Sequence, residues 1–319
     1  MYYVEKARLE RKEIRKLGNI LGLAMTGYVV VQLLASVILL SIDGLYDKYL
    51  NSSLFQASFN TIAIELCALV IPFGLVALAN KKKYQSELIP SAKLPFGRLC
   101  LWVGFGMLCC IGADYVVGIL VTIVDSFGRT LTQPETAPPT TLLSCIASIV
   151  GTAIVPALCE EFSLRCCSLG LLKKYGKAFG VVTVSLVFGV LHGNVIQLVF
   201  ASLVGLILGY VTVKTGSVVP AVLIHAFNNG MAVTGDLLIY LFGEQTDEYS
   251  TYAMFLFWLI VGSICAIILA FKKQLKSEPK SVYEPFSNSL GRKIVTFFFV
   301  PGMIIPFLFF AFTTISSIE

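Results

Sequence analysis

Nine apolar runs fill most of this chain, and most are long enough to cross a lipid bilayer. They are Leu17–Ile42, Phe59–Ala79, Leu99–Val124, Thr140–Leu158, Ala178–Leu191, Val195–Val213, Val218–Phe242, Tyr252–Phe271 and Ile294–Ile315. A helix crossing the hydrocarbon core needs about 20 apolar residues. Ala178–Leu191 is short for that, and Thr140–Leu158 continues into a polar patch, so the pattern predicts eight or nine spans. Backbone groups inside lipid must be bonded within their own segment or in a closed barrel. Runs of this length read as helices. The fold class expected is therefore all-α, a polytopic transmembrane helical bundle. Its organisation reads as a basic arm over residues 1–16 and one membrane domain over 17–319, with no internal repeat and no soluble domain. Only 13% of the residues are charged, about half the share of a soluble globular protein.

The charges that do occur mark the segment ends. Basic residues gather in the Met1–Lys16 arm and at Lys81–Lys83, Lys173–Lys177 and Lys272–Lys276, whereas Glu244, Asp247 and Glu248 share an opposite loop. Under the positive-inside rule this predicts an integral membrane protein with a cytoplasmic N-terminus, and nine spans would put Glu319 outside. The arm is too charged for a cleavable signal, so Leu17–Ile42 reads as a retained span. Orientation explains the net charge of +5 better than nucleic acid does, and membrane lipids are the expected surroundings. The nine cysteines lie in or beside apolar runs, where free cysteine packs as a small hydrophobe. Cys109–Cys110 and Cys166–Cys167 are adjacent and lack metal or redox spacing.

Against this background the polar residues inside the runs stand out. His192 and His225 are the only histidines in the chain, and Glu160 and Glu161 are followed by Arg165. Ionisable groups in hydrocarbon cost roughly 2.5–3.5 kcal/mol each on insertion scales and are usually functional. Glu160 lies 13 residues before Lys173, and His192 lies 15 after Lys177. A helical hairpin about Gly176 puts both roughly 20 Å from the basic surface. His225, 11 residues past Lys214, lies roughly 16 Å in by the same arithmetic. Glu161 and Arg165 are i,i+4 and share a face, as do Phe188 and His192, and His225 and Asn229. Gly193-Asn194 interrupts a long apolar stretch. Such a break must be covered by protein or line a wet cavity, and water at this level is the expectation. Glu65, Asp114 and Asp236 are further intramembrane acids without partners at comparable spacing. Pro301 and Pro306 are expected to kink the last span.

Two histidines, a carboxylate and an amide suit hydrolysis. A glutamate in a low-dielectric site can take a proton from water, while imidazole and amide groups donate to the oxyanion. Alternatively Glu160, His192 and His225 hold Zn2+, whose bound water is acidified. The residues leave both routes open. There is no HExxH and no GxSxG, and Val233-Thr234-Gly235-Asp236 lacks the first glycine of GxGD.

Glu160–Arg165 reads EExxxR, Phe188–His192 reads FxxxH and His225–Asn229 reads HxxxN. In this order, on successive membrane helices, they resemble the CAAX-processing and bacteriocin-processing intramembrane endopeptidases, the CPBP or abortive-infection family. The resemblance covers about residues 140–240. It implies peptide-bond hydrolysis in the membrane, with Glu160 activating water and Glu161 and Arg165 ordering it. His192, His225 and Asn229 would then orient water or stabilise the oxyanion, with Asn228 as an alternative amide. It further implies a peptide or protein-tail substrate, lipidated or not. The family has been described both as metal-dependent and as a metal-free glutamate type. The loose ligand set favours no required cofactor, with Zn2+ as the alternative. The rival class is a non-catalytic membrane protein: a proton-coupled transporter, which would be expected to show inverted repeats, or a bacteriocin-immunity scaffold.

Overall fold

The computed structural model describes residues 2–88, 91–134, 136–243, 246–275 and 288–319. Glu244 and Lys276, and the side chains of Lys81–Lys83, Asp247 and Glu248, lie outside the described residues. Among those described the fold is all-helical, with no strand beyond the isolated bridges Ser91–Ser217 and Leu131–Ile318.

Helix α1 is Tyr2–Ser41 and a short α2 is Leu45–Asn51. Next come α3, Ser53–Asn80, α4, Phe96–Ser126, α5, Leu142–Tyr175, and α6, Lys177–Leu191. The chain continues through α7, Val195–Thr215, α8, Val219–Phe242, and α9, Thr246–Phe271. It closes with α10, Leu290–Phe298, and α11, Ile304–Ser316.

Seven of these helices are long and apolar enough to cross a membrane, or eight if the bent pair formed by α10 and Pro301–Ser316 counts as one span. The expected ninth span is corrected. The run Ala178–Leu191 forms only the 15-residue α6, roughly 22 Å of helix against a core of roughly 30 Å. Thr140–Leu158 is likewise not a short span, because its helix carries on through the polar patch to Tyr175. The last run does bend, by 68° ahead of Pro301.

Two apolar clusters hold the bundle together. One joins α1, α3, α5, α6 and the C-terminal helices around Met25, Phe73, Leu164, Phe179 and Phe297. The other joins α4, α7, α8 and α9 around Trp102, Met107, Leu208 and Ile224. α1 meets the bent pair at backbone distance. Gly18 and Gly22 are i,i+4 on one face. A Cβ at Gly18 would collide with the Phe297 carbonyl, and one at Gly22 with the Gly302 carbonyl. Small residues allow this approach where lipid gives no hydrophobic drive for helices to associate. The Asn19 Oδ1 accepts the Gly302 N–H at 2.8 Å, fixing the register.

A buried polar clamp sits at the start of α1. Lys293 pairs with Glu10 at 2.7 Å and donates to the Tyr175 carbonyl at 2.6 Å. Asn288 donates to the Glu10 carboxylate at 2.6 Å and accepts from Arg11 at 3.0 Å. The clamp holds the turn between α5 and α6 against both terminal regions. That turn fixes the relative height of the two helices. A Gly22→Leu substitution should separate α1 from the bent pair. Overpacking of this kind costs about 1–3 kcal/mol, so a lower midpoint of thermal unfolding in detergent is expected, and an unchanged midpoint would refute the contact.

Candidate active site

The polar residues of α5, α6 and α8 come together as one cluster. Helical winding places them. Glu161 and Arg165 face the same way, with Arg165 Nε 3.2 Å from Glu161 Oε2. His225 on α8 lies between the two glutamates, its Nδ1 3.0 Å from Glu161 Oε1 and its Nε2 3.5 Å from Glu160 Oε2. The ring of Phe188 on α6 forms the floor: His192, His225 and Arg165 lie 5.0, 5.7 and 4.8 Å from its centre. A guanidinium over an aromatic face gains cation–π attraction, which matters more away from water.

The partners assign the ring protons. His192 Nδ1 stands 2.8 Å from the Phe188 carbonyl, which only accepts, so Nδ1 donates. A neutral imidazole then presents Nε2 as an acceptor. His225 Nδ1 donates to Glu161 on the same argument. Its Nε2 faces Glu160 without hydrogen-bond alignment, since Glu160 Oε2 remains unsatisfied.

Exposure divides the cluster into two parts. Glu161, Arg165 and His225 are sealed, at 0%, 1% and 3%. The Glu160 side chain is 16% exposed, and His192 is also partly open. Only the open members can meet another molecule without the helices parting. Asn229 is half-buried, and its amide donates to the Thr152 carbonyl of α5 at 3.2 Å, leaving one amide hydrogen uncommitted. Asn228 donates to Asn229 Oδ1 at 3.4 Å, so the two amides are linked.

The helices carrying these groups depart from α geometry near them. α5 is π-helical over Ile149–Ile154 and Phe162–Leu169, and α3 over Asn60–Val70. The first stretch holds Thr152, the second Arg165 and the third Glu65. π-bulges often occur at functional sites because they re-aim side chains within a continuous helix. The Ser168 hydroxyl donates to the Ser163 carbonyl, five residues back, at 2.9 Å, which helps satisfy the widened ladder.

Three expectations need correction. Glu65 is not isolated, because α3 packs against α5 there and its carboxylate interacts electrostatically with Glu160. Asp236 also has a partner. The break at Gly193-Asn194 is covered by protein rather than opened to water. Gly193 takes a positive φ of 67°, Asn194 caps α7 and is buried, and Ser317 Oγ accepts the Val195 N–H at 3.1 Å. Sequence reasoning missed Glu65 and the carbonyls of Thr152 and Gly205, the latter 3.4 Å from Arg165. A lone acid in an apolar run is the only signal that pointed to Glu65.

The groups left to hold a metal ion would be Glu160 and the Nε2 atoms of His192 and His225. Among the described residues no three His, Cys, Asp or Glu side chains gather at ligand distances. His225 Nδ1 is committed to Glu161 and His192 Nδ1 to a carbonyl, which leaves both Nε2 atoms free toward Glu160 or a bound group.

Removing the Glu161 charge strands Arg165. Breaking a buried pair by removing one partner costs about 3–5 kcal/mol. Glu161→Gln should lower the unfolding midpoint in detergent, and Glu161→Gln with Arg165→Met should recover most of the loss. Additive losses would show that the two charges are not coupled.

Comparison with known proteins finds a family to which part of this core is similar. Residues 142–231 match the family described as Rce1-like, type II CAAX prenyl endopeptidase Rce1-like. The matched segment contains Glu160, Glu161, Arg165, His192, His225 and Asn229, and it agrees with the CAAX-processing, CPBP resemblance of the three motifs. No curated protein and no solved structure matches the chain.

Proposed function

We propose that this chain, an integral membrane protein with an Rce1-like core, is an endopeptidase that hydrolyses a peptide bond within the membrane. The family match supports proteolysis of a peptide or protein tail in broad terms. The observation that carries the residue assignment is the graded exposure: a slightly exposed Glu160 and a partly exposed His192 stand before a sealed Glu161–Arg165–His225 support.

The reading assigns one task to each group. Glu160 takes a proton from a water as the water oxygen bonds to the scissile carbonyl carbon. The His192 Nε2 lone pair accepts the other water hydrogen and aims the attack. The free amide hydrogen of Asn229 donates to the oxygen that gains charge, and a donor placed there is worth about a hundredfold to a thousandfold in rate. The C–N bond then breaks, and the proton held by Glu160 passes to the leaving amine. His225 packs beside Glu160 and is itself held by Glu161, whose charge Arg165 balances. These steps are written without a resident metal.

The substrate proposed is a membrane-associated tail or leader, with a prenylated CAAX tail as the first candidate because of the family match. A cytoplasmic N-terminus, from the basic segment ends, would put Lys173–Lys177 and the α5–α6 turn on the cytoplasmic side.

The test is a purified protein assayed in lipid nanodiscs with quenched peptides: a prenylated CAAX tail, the same tail without lipid, and a double-glycine leader. Glu160→Gln and His192→Ala should each reduce kcat by at least roughly a hundredfold with unchanged unfolding midpoints. Full activity of either variant would overturn the assignment. Turnover should also survive a strong chelator after metal removal has been verified by elemental analysis, and a loss restored by zinc would refute the metal-free route.

A further inference from the structure

A third carboxylate belongs to this site. Glu65 lies on α3, outside the segment matched by the family, in the π-helical stretch Asn60–Val70 that packs against the part of α5 carrying Glu160. Its carboxylate interacts electrostatically with Glu160, and the buried Tyr28 of α1 interacts with both. Each glutamate has a buried carboxylate oxygen, Glu65 Oε2 and Glu160 Oε2, with no hydrogen-bond donor.

Those orphan oxygens are the informative feature. An ionised carboxylate only accepts hydrogen bonds, whereas a protonated one gains an O–H donor. Two carboxylates close together away from water cannot both stay ionised cheaply, and a shared proton removes the repulsion. Arg165 eases it only from a distance, because its charge contact is with Glu161.

Further along α1 and α3 lies a cavity of about 330 Å³, lined by apolar side chains together with Gln32, Ser36, Tyr49 and Asn60. Gln32 is one turn beyond Tyr28, and Asn60 is five residues, one π turn, before Glu65. Tyr49 donates to Asn60 Oδ1 at 3.0 Å.

We infer that Glu65 is a positioning residue: it carries a proton and donates it in a hydrogen bond to Glu160. The bond fixes which Glu160 oxygen faces the water and leaves that oxygen to act as base. Glu65 does not touch the scissile bond, and its proton is not consumed.

This inference rests on the endopeptidase reading and is separable from it. The assay is cleavage of a quenched, prenylated CAAX-tail peptide in nanodiscs by the wild type and by Glu65→Gln, Glu65→Met and Glu160→Gln. A glutamine keeps a neutral donor, so Glu65→Gln should stay within about threefold of wild-type kcat. A methionine has similar volume and no donor. Loss of one hydrogen bond to a charged group is worth roughly tenfold to a hundredfold, so Glu65→Met should lose that factor in kcat with KM within about twofold. If Glu65→Met does not fold, Glu65→Gln decides alone. A Glu65→Gln loss beyond threefold, or a Glu65→Met loss below tenfold with normal unfolding, overturns the inference. An active Glu160→Gln overturns the endopeptidase reading instead, and an inactive Glu160→Gln beside a fully active Glu65→Met overturns only the role of Glu65.

Discussion

Glu161 is wholly buried in an apolar bundle and is in contact with both a guanidinium and an imidazole. A lone charge there would cost several kcal/mol after relaxation. With Arg165 and His225 beside it, the cost falls on a compact polar unit rather than on one helix. That constraint fixes the rest. α5 must present two adjacent acids, α8 must bring its histidine between them, and α6 must supply an aromatic floor. Moving any one helix by a turn would strand a charge, so the unit also sets the register of the helices.

The support is rigid where it is sealed and open where chemistry would occur. Phe188 touches both imidazoles and the guanidinium, so one side chain of α6 relates the other groups. The π-helical stretches of α3 and α5 lie at Glu65, Thr152 and Arg165. Each turns a polar group toward the cluster without breaking the helix, which lipid would penalise. The clamp of Lys293, Glu10 and Tyr175 pins the α5–α6 turn, about 20 Å along the helices from the glutamates. The glycine contact of α1 with the bent C-terminal pair completes the frame.

Much of this was legible in the sequence because helical spacing is local. The i,i+4 relation of Glu161 and Arg165 led to their contact, and counting residues from the basic turns brought Glu160 and His225 to one level. The family resemblance named the same residues and was matched over residues 142–231. What stayed hidden depends on packing between distant segments. Nothing around Glu65 marks it as the neighbour of Glu160, since pairing α3 with α5 is a tertiary event. The carbonyls of Thr152 and Gly205 belong to residues with no polar signature. The shortness of Ala178–Leu191 left the span count open between eight and nine, and the structure forms seven or eight helices long and apolar enough to cross among the described residues. The Gly193-Asn194 break had two physical solutions, and its burial under the C-terminal helix could not be read locally.

The most direct test uses the fact that the chain has only two histidines. Nitrogen-15 labelling of histidine in membrane-embedded protein yields two ring systems, whose shifts report which nitrogen carries the proton. Both rings should be protonated at Nδ1, and Glu161→Gln should shift the His225 signals while leaving His192 in place. Two rings protonated at Nε2, or a His225 indifferent to Glu161, would contradict the convergence of these helices on one polar unit.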